Sequence, residues 1–116
     1  MSENKGERAV LIGINIGGQD ESVTREYLDE LEFLAVTAGA VVIRRFSQNI
    51  DTPNPKTFVG AGKAEEIAAF VRNNNIDIAI FDEELTPSQL RNIERLFGCR
   101  ILDRTNLILD IFASRA

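Results

Sequence analysis

Apolar positions recur along this chain in two alternating periods, one suited to buried strands and one to amphipathic helices. Ala9-Val10-Leu11-Ile12-Gly13-Ile14 is a nearly continuous apolar run rich in branched side chains, followed by Gly17-Gly18, and predicts a strand covered on both faces. Next, Ser22 or Thr24 can cap a helix whose apolar positions Tyr27, Leu28, Leu31, Leu34, Ala35 and Ala38 return every three or four residues until Gly39. Ala40 to Phe46 reads as a second strand, in which the adjacent Arg44 and Arg45 must point to opposite faces if the strand is regular. A polar loop follows from Ser47, where Pro53 and Pro55 forbid helix and central strand. Phe58-Val59 predicts a brief strand, and Lys63 to Asn74 a helix with Ile67, Phe70 and Val71 inward.

The second half repeats the alternation. Ile76 to Phe81 predicts a strand, with Asp82-Glu83-Glu84 at its carboxyl end. Thr86-Pro87-Ser88-Gln89 has the form of a capping box with proline at the first helical position. Leu90, Ile93, Leu96 and Phe97 make that helix's buried stripe, and Gly98 stops it. Arg100 to Asp103 is a last short strand, and Thr105 or Asn106 opens a helix with no stop signal before Ala116, the pattern expected of a fragment of a longer polypeptide. Strands separated by helices predict an α/β fold, a small parallel sheet of about four strands with helices on both faces. The expected organisation is a flexible start over residues 1–7, an α/β domain over 8–104, and the beginning of a truncated helix over 105–116.

Composition narrows the chemistry. One domain fits 116 residues, of which 44% are hydrophobic and 27% charged. No apolar run reaches membrane-spanning length and the polar start lacks signal-peptide character, so a cytoplasmic location is expected. The chain has no histidine, which removes Ser-His-Asp catalysis and imidazole metal ligands. Its one cysteine, Cys99, excludes an internal disulfide and reads as a small structural residue at a strand start. The net charge of −5 is unevenly spread: residues 1–39 hold three basic and eight acidic groups, whereas residues 40–75 hold five and three. Glu26, Asp29, Glu30 and Glu32 read as the solvated stripe of the first helix rather than a metal cluster.

The positive segment contains the strongest chemical signal, Val59-Gly60-Ala61-Gly62-Lys63-Ala64, where an apolar run meets two glycines and a lysine at a helix start. Uncapped N–H groups, the positive end of the helix dipole and an ammonium favour an anion such as a nucleotide or RNA phosphate. It is not a P-loop, because Thr57 stands where the leading glycine belongs and Ala64 where the magnesium-binding hydroxyl belongs. The alternative is that the glycines only turn the chain sharply into a helix. Gly60, Gly62 and Lys63, with Lys56, Arg44 and Arg45, are the candidate phosphate-binding residues. Asp82 and Glu83 are secondary candidates, for a cation near the carboxyl edge of the sheet, although acids before a helix start also simply complement its dipole.

Three blocks carry a further signal: Pro53-Asn54-Pro55-Lys56-Thr57-Phe58-Val59-Gly60-Ala61-Gly62-Lys63-Ala64-Glu65-Glu66-Ile67, Phe81 through Glu94, and Ile101 through Ala116. In this order and spacing they resemble the N-terminal domain of HflX-type GTPases over nearly the whole chain. The resemblance implies a GTP-binding protein of the cytoplasm that associates with the large (50S) ribosomal subunit and its RNA and acts in ribosome splitting, rescue or biogenesis, including stress recovery. It also implies that GTP and magnesium belong to a P-loop domain beyond Ala116, reached through a helical hairpin, so that this chain has no catalytic residue or cofactor of its own. The competing expectation from the residues is a small nucleotide (ATP) or phosphate-binding domain acting alone.

Overall fold

The computed structural model describes residues 6–115 and arranges them as four strands alternating with four helices. The strands are β1 (Arg8–Ile16), β2 (Val41–Ile50), β3 (Ile78–Phe81) and β4 (Arg100–Asp103); the helices are α1 (Glu21–Thr37), α2 (Ala61–Asn73), α3 (Pro87–Phe97) and α4 (Arg104–Arg115). The strands form one parallel sheet, as the alternating pattern predicts, and their order is β2-β1-β3-β4.

Strand alternation divides the core in two. Val10, Ile12, Ile14, Ala79, Phe81 and Ile101 face α2 and α3, packing with Ile67, Val71, Ile93 and Phe97. Aromatic rings fill this layer: Phe81 meets Phe58 edge-on with centroids 5.6 Å apart and stacks on Phe97 at 6.2 Å. Ala9, Leu11, Ile78, Ile80 and Leu102 face the other way, against Leu28, Leu31 and Ala35 of α1 and Leu107 of α4. Leu107 is fully buried, so α4 belongs to the same core as the rest. The expected flexible start falls mainly on residues 1–5, which lie outside the described residues. Gly6 donates its amide to the Gly39 carbonyl at 2.7 Å, and Glu7 accepts from Arg100 at 3.1 Å.

Several boundaries differ from the expectations, each for a physical reason. β2 does not end at Phe46 but runs to Ile50, because Ser47, Gln48, Asn49 and Ile50 pair with Gly13 to Ile16 of β1. An edge strand can be held by its backbone while its side chains stay polar. A one-residue shift in register near Ala9 and Val10 makes room for an extra residue in β2: Val42 packs toward α1, whereas Ile43 and Arg44 both lie on the α2 face. Phe58-Val59 is not a strand; Phe58 makes one antiparallel bridge to Asn54 and adopts φ 67°. Its buried ring against Phe81 supports that left-handed backbone in a residue that seldom adopts it.

The helix starts were only partly readable. Asp20, not Ser22 or Thr24, caps α1, its carboxylate accepting from the Ser22 amide at 2.9 Å. Tyr27 is not part of the buried stripe and is half exposed. The capping box of α3 forms as expected, with Pro87 behind Thr86, and Gly98 closes the helix at φ 68°. Gln89 of that box also donates to the carbonyl of Asn54 at 2.8 Å, fastening the loop between β2 and α2. α4 begins at Arg104 rather than Thr105 or Asn106, and Asp103 accepts from the Asn106 amide at 2.9 Å.

Candidate functional site

The Gly60–Lys63 segment is the first turn of α2, at the sheet edge where β2 ends. Gly60 is the N-cap and supplies no side-chain acceptor to the turn, which also contains no acidic residue. Gln48 of β2 accepts the Gly60 amide at 2.8 Å and fixes the entry of the chain into the helix. A Cβ on Gly62 would meet nothing within 4 Å, so the approach to this turn is open.

Lys63 projects from the turn and reaches Glu66 at 3.2 Å. Arg44 approaches the same carboxylate from β2 at 3.9 Å, its guanidinium lying 4.4 Å from the ring centroid of Phe46 and 5.1 Å from that of Phe70. Two cations therefore share one half-exposed carboxylate beside an uncapped helix start. Lys56 stands exposed in the preceding loop, where its amide donates to Asn54 Oδ1 at 2.8 Å and its carbonyl accepts from Asn92 at 3.2 Å.

Arg45 is elsewhere. It lies on the α1 face, bound to Asp29 at 2.7 Å and Glu32 at 2.9 Å. Burial opposes its charge, but these two acids outweigh that effect and raise its pKa. The acidic stripe of α1 is thus not simply solvated, since Glu30 also binds Arg104 of α4 at 2.8 Å. Asp82 meets Arg104 Nε at 2.9 Å and lines a shallow cavity of about 360 Å³ with Glu83, Tyr27 and Glu30. Burial pushes the Asp82 carboxyl above its ordinary range, and the bonds from Arg104 restrain that rise.

Neither location fits a nucleotide–magnesium group. The residue after Lys63 is Ala64, packed in the core at 1% exposure, so no hydroxyl is presented to a metal. Asp82 is already engaged by a guanidinium, and among the described residues no three carboxylates, cysteines or histidines converge. Cys99 is half-buried at the start of β4; burial pushes its thiol up to about 11, which keeps it protonated at neutral pH. What the α2 corner can do is hold an anion through backbone N–H groups, Lys63 and Arg44.

Of the sequence candidates, the structure brings Gly60, Gly62, Lys63 and Arg44 to one corner, and beside them it places Gln48 and Glu66, which sequence reasoning did not name. Gln48 was hidden in a segment read as loop. Glu66 was detectable, because it follows Lys63 by three residues on a helix and such positions are neighbours.

The comparisons agree with this architecture. The family described as GTP-binding GTPase N-terminal matches residues 25–113. The GTPase HflX of Flavobacterium psychrophilum is 56% identical over 110 residues, covering 95% of this chain and 27% of that protein. That of Escherichia coli is 47% identical over 111 residues, 96% of this chain and 25% of its own length. Among solved structures, a GTP-binding protein from the hyperthermophilic archaeon Sulfolobus solfataricus in complex with GDP superposes with a TM-score of 0.67 at 27% identity, over 92% of this chain and 30% of that one. A mutation variant of SsGBP gives a TM-score of 0.74 at 26% identity, over 95% of this chain and 33% of that one. The chain spans about a quarter of the length of the curated relatives it matches. With its four-stranded parallel sheet and a family match over most of its length, the chain belongs to the HflX GTPases, of which it is the N-terminal α/β part.

Proposed function

We propose that this domain docks its parent GTPase on the RNA of the large ribosomal subunit, with the α2 corner meeting backbone phosphate, and relays that contact to a GTP-binding domain elsewhere in the polypeptide. The observation that carries the reading is the convergence of Lys63 and Arg44 at a helix start that has no capping side chain and no acid in its first turn. A phosphate there gains from backbone donors, helix dipole and two cations at once. Family membership supports GTP hydrolysis as the work of the parent protein; in this proposal magnesium serves that hydrolysis, and ribosome splitting, rescue or biogenesis is the process it drives.

RNA phosphate suits the corner better than nucleotide phosphate with magnesium, since among the described residues no three metal-ligating side chains converge and Ala64 offers no hydroxyl. Lys56 extends the cationic surface along the loop before α2. Arg45 is excluded from the contact because it lies across the sheet in bonds to Asp29 and Glu32.

Co-sedimentation of the chain with purified large subunits tests the reading. Association should weaken as salt rises, and the double change Lys56→Ala with Lys63→Ala should weaken it about tenfold near 0.1 M salt and flatten the salt dependence. Binding indifferent to both substitutions would remove these residues from the interface.

A further inference from the structure

The opposite face of the sheet holds a second cavity, of about 270 Å³, at the carboxyl ends of β1 and β2 beneath the start of α1. Its wall contains two polar side chains whose burial is not matched by bonding. Asn15 of β1 and Thr24 of α1 are each 6% exposed, and among the described residues nothing hydrogen-bonds Asn15 Oδ1 or Thr24 Oγ1. Buried polar atoms without partners are rare, and two on side chains that line one cavity point to a ligand that completes them.

The way the sequence builds the cavity supports this. Asn15 interrupts a strand whose residues Ala9 to Ile14 are otherwise apolar or glycine, and it occupies the α1-facing register of Ala9 and Leu11, where an aliphatic side chain would continue the core. One step before it in that register, Gly13 lets Leu28 close in so tightly that a Cβ there would stand 3.2 Å from the leucine, so the apolar layer ends and the polar cavity begins. Ser47 and Asn49 add a hydroxyl and a carboxamide from the end of β2. This is the sheet edge at which parallel α/β folds present ligand-binding groups.

The charges select the class of ligand. Arg45 reaches the cavity, but its guanidinium is already held by Asp29 and Glu32, and the remaining charged lining residues, Glu21 and Arg25, are one of each sign. The lining therefore carries no surplus positive charge to favour a phosphate. We propose that this cavity binds a small neutral molecule bearing hydroxyl or amide groups, which donates to Asn15 Oδ1 and exchanges a hydrogen bond with Thr24 Oγ1. A hydroxyl or amide group suits both, because one partner needs a donor and the other accepts or donates.

The test is an NMR titration of the ¹⁵N-labelled chain with glycerol, D-ribose and nicotinamide at millimolar concentrations. At least one probe should shift the side-chain amide signals of Asn15 and Asn49 saturably while leaving the Gly60–Lys63 amides in place. Thr24→Val, which keeps the shape and removes the hydroxyl, should weaken that binding at least about tenfold and raise the melting temperature by roughly 4 °C. Asn49→Ala, at an exposed position, provides a second variant that should weaken binding without disturbing the core. No saturable shift with any of the three probes would overturn the proposal. Shifts that survive both substitutions would do the same, as would crystals soaked in the probes that show only ordered water on Asn15 and Thr24.

Discussion

Helices α1 and α2 both begin where a strand of the sheet ends, yet their first turns meet solvent in opposite electrostatic states. At α1, the Asp20 carboxylate accepts a backbone N–H and Glu21 adds a second negative charge, so the positive end of the helix is already answered from within the chain. At α2, Gly60 offers no acceptor and no acid follows in the first turn. The cations behave in parallel. Arg45 and Arg104, on the α1 side, are each held by two carboxylates, whereas Lys63 and Arg44, on the α2 side, share one. A net charge of −5 therefore says little about where this protein can attract an anion. What decides it is which helix start and which cations the chain's own acids can reach.

The two sides should also fail differently. The largest effect is expected in the aromatic layer: Phe81→Ala, at a position with no exposure between Phe58 and Phe97, should cost about 4 kcal/mol in urea unfolding. A loss below half that value would show that the rings contribute area alone and that the layer closes over the gap.

On the other side, Arg104→Met should cost about 2 kcal/mol at neutral pH, because it leaves Asp82 half-buried without its counter-charge. Burial already raises the folded-state pKa of Asp82. A carboxyl raised in this way favours the fold below its unfolded pKa and loses that contribution as pH climbs through the folded value. Removing Arg104 raises the folded value further, so the penalty should be full at neutral pH and shrink as pH falls into the carboxylate range. A penalty independent of pH would show that lost packing of the arginine stem dominates.

Making α2 resemble α1 is a more direct test. Gly60→Asp supplies the missing cap at a backbone of φ −59° and ψ 157°, open to any residue, and only the flexible end of Gln48 stands close, 3.1 Å from the new Cβ. Stability should rise by a few tenths of a kcal/mol while association with large subunits falls about tenfold. The smallest expected change is in the reverse direction. Glu66→Gln frees Lys63 and Arg44 from their common acid and should tighten that association by about threefold, with stability altered by less than about 0.5 kcal/mol.

Much of this organisation could be read from residue order, and the failures have a common cause. The buried strands and α3 announce themselves locally, through apolar runs, a capping box and a glycine stop. Ser47 to Ile50 did not, because an edge strand is specified by the backbone of its neighbour β1 rather than by its own side chains. The N-cap of α1 was misplaced because Ser22 and Thr24 offer hydroxyls as plausible as the Asp20 carboxylate, and only the turn geometry chooses among them. Phe58 looked like strand because it is aromatic and buried, yet its ring is what fixes a left-handed turn. The same division holds at the α2 corner. Glycines and lysine are adjacent in sequence and were found together. Gln48 arrives from β2 and required the sheet register, which also decides that Arg44 rather than Arg45 stands beside α2.

Gln89 shows what such a division leaves out. Within four residues it completes the start signal of α3, and with the other end of its carboxamide it grips Asn54, thirty-five positions earlier. The loop that delivers the chain to Gly60 therefore cannot swing away without pulling on the first turn of α3. A tug on that loop from outside would be felt as slack or tension in the helix that connects β3 to β4, so one amide serves as a mechanical tether between the cationic corner and the far half of the sheet.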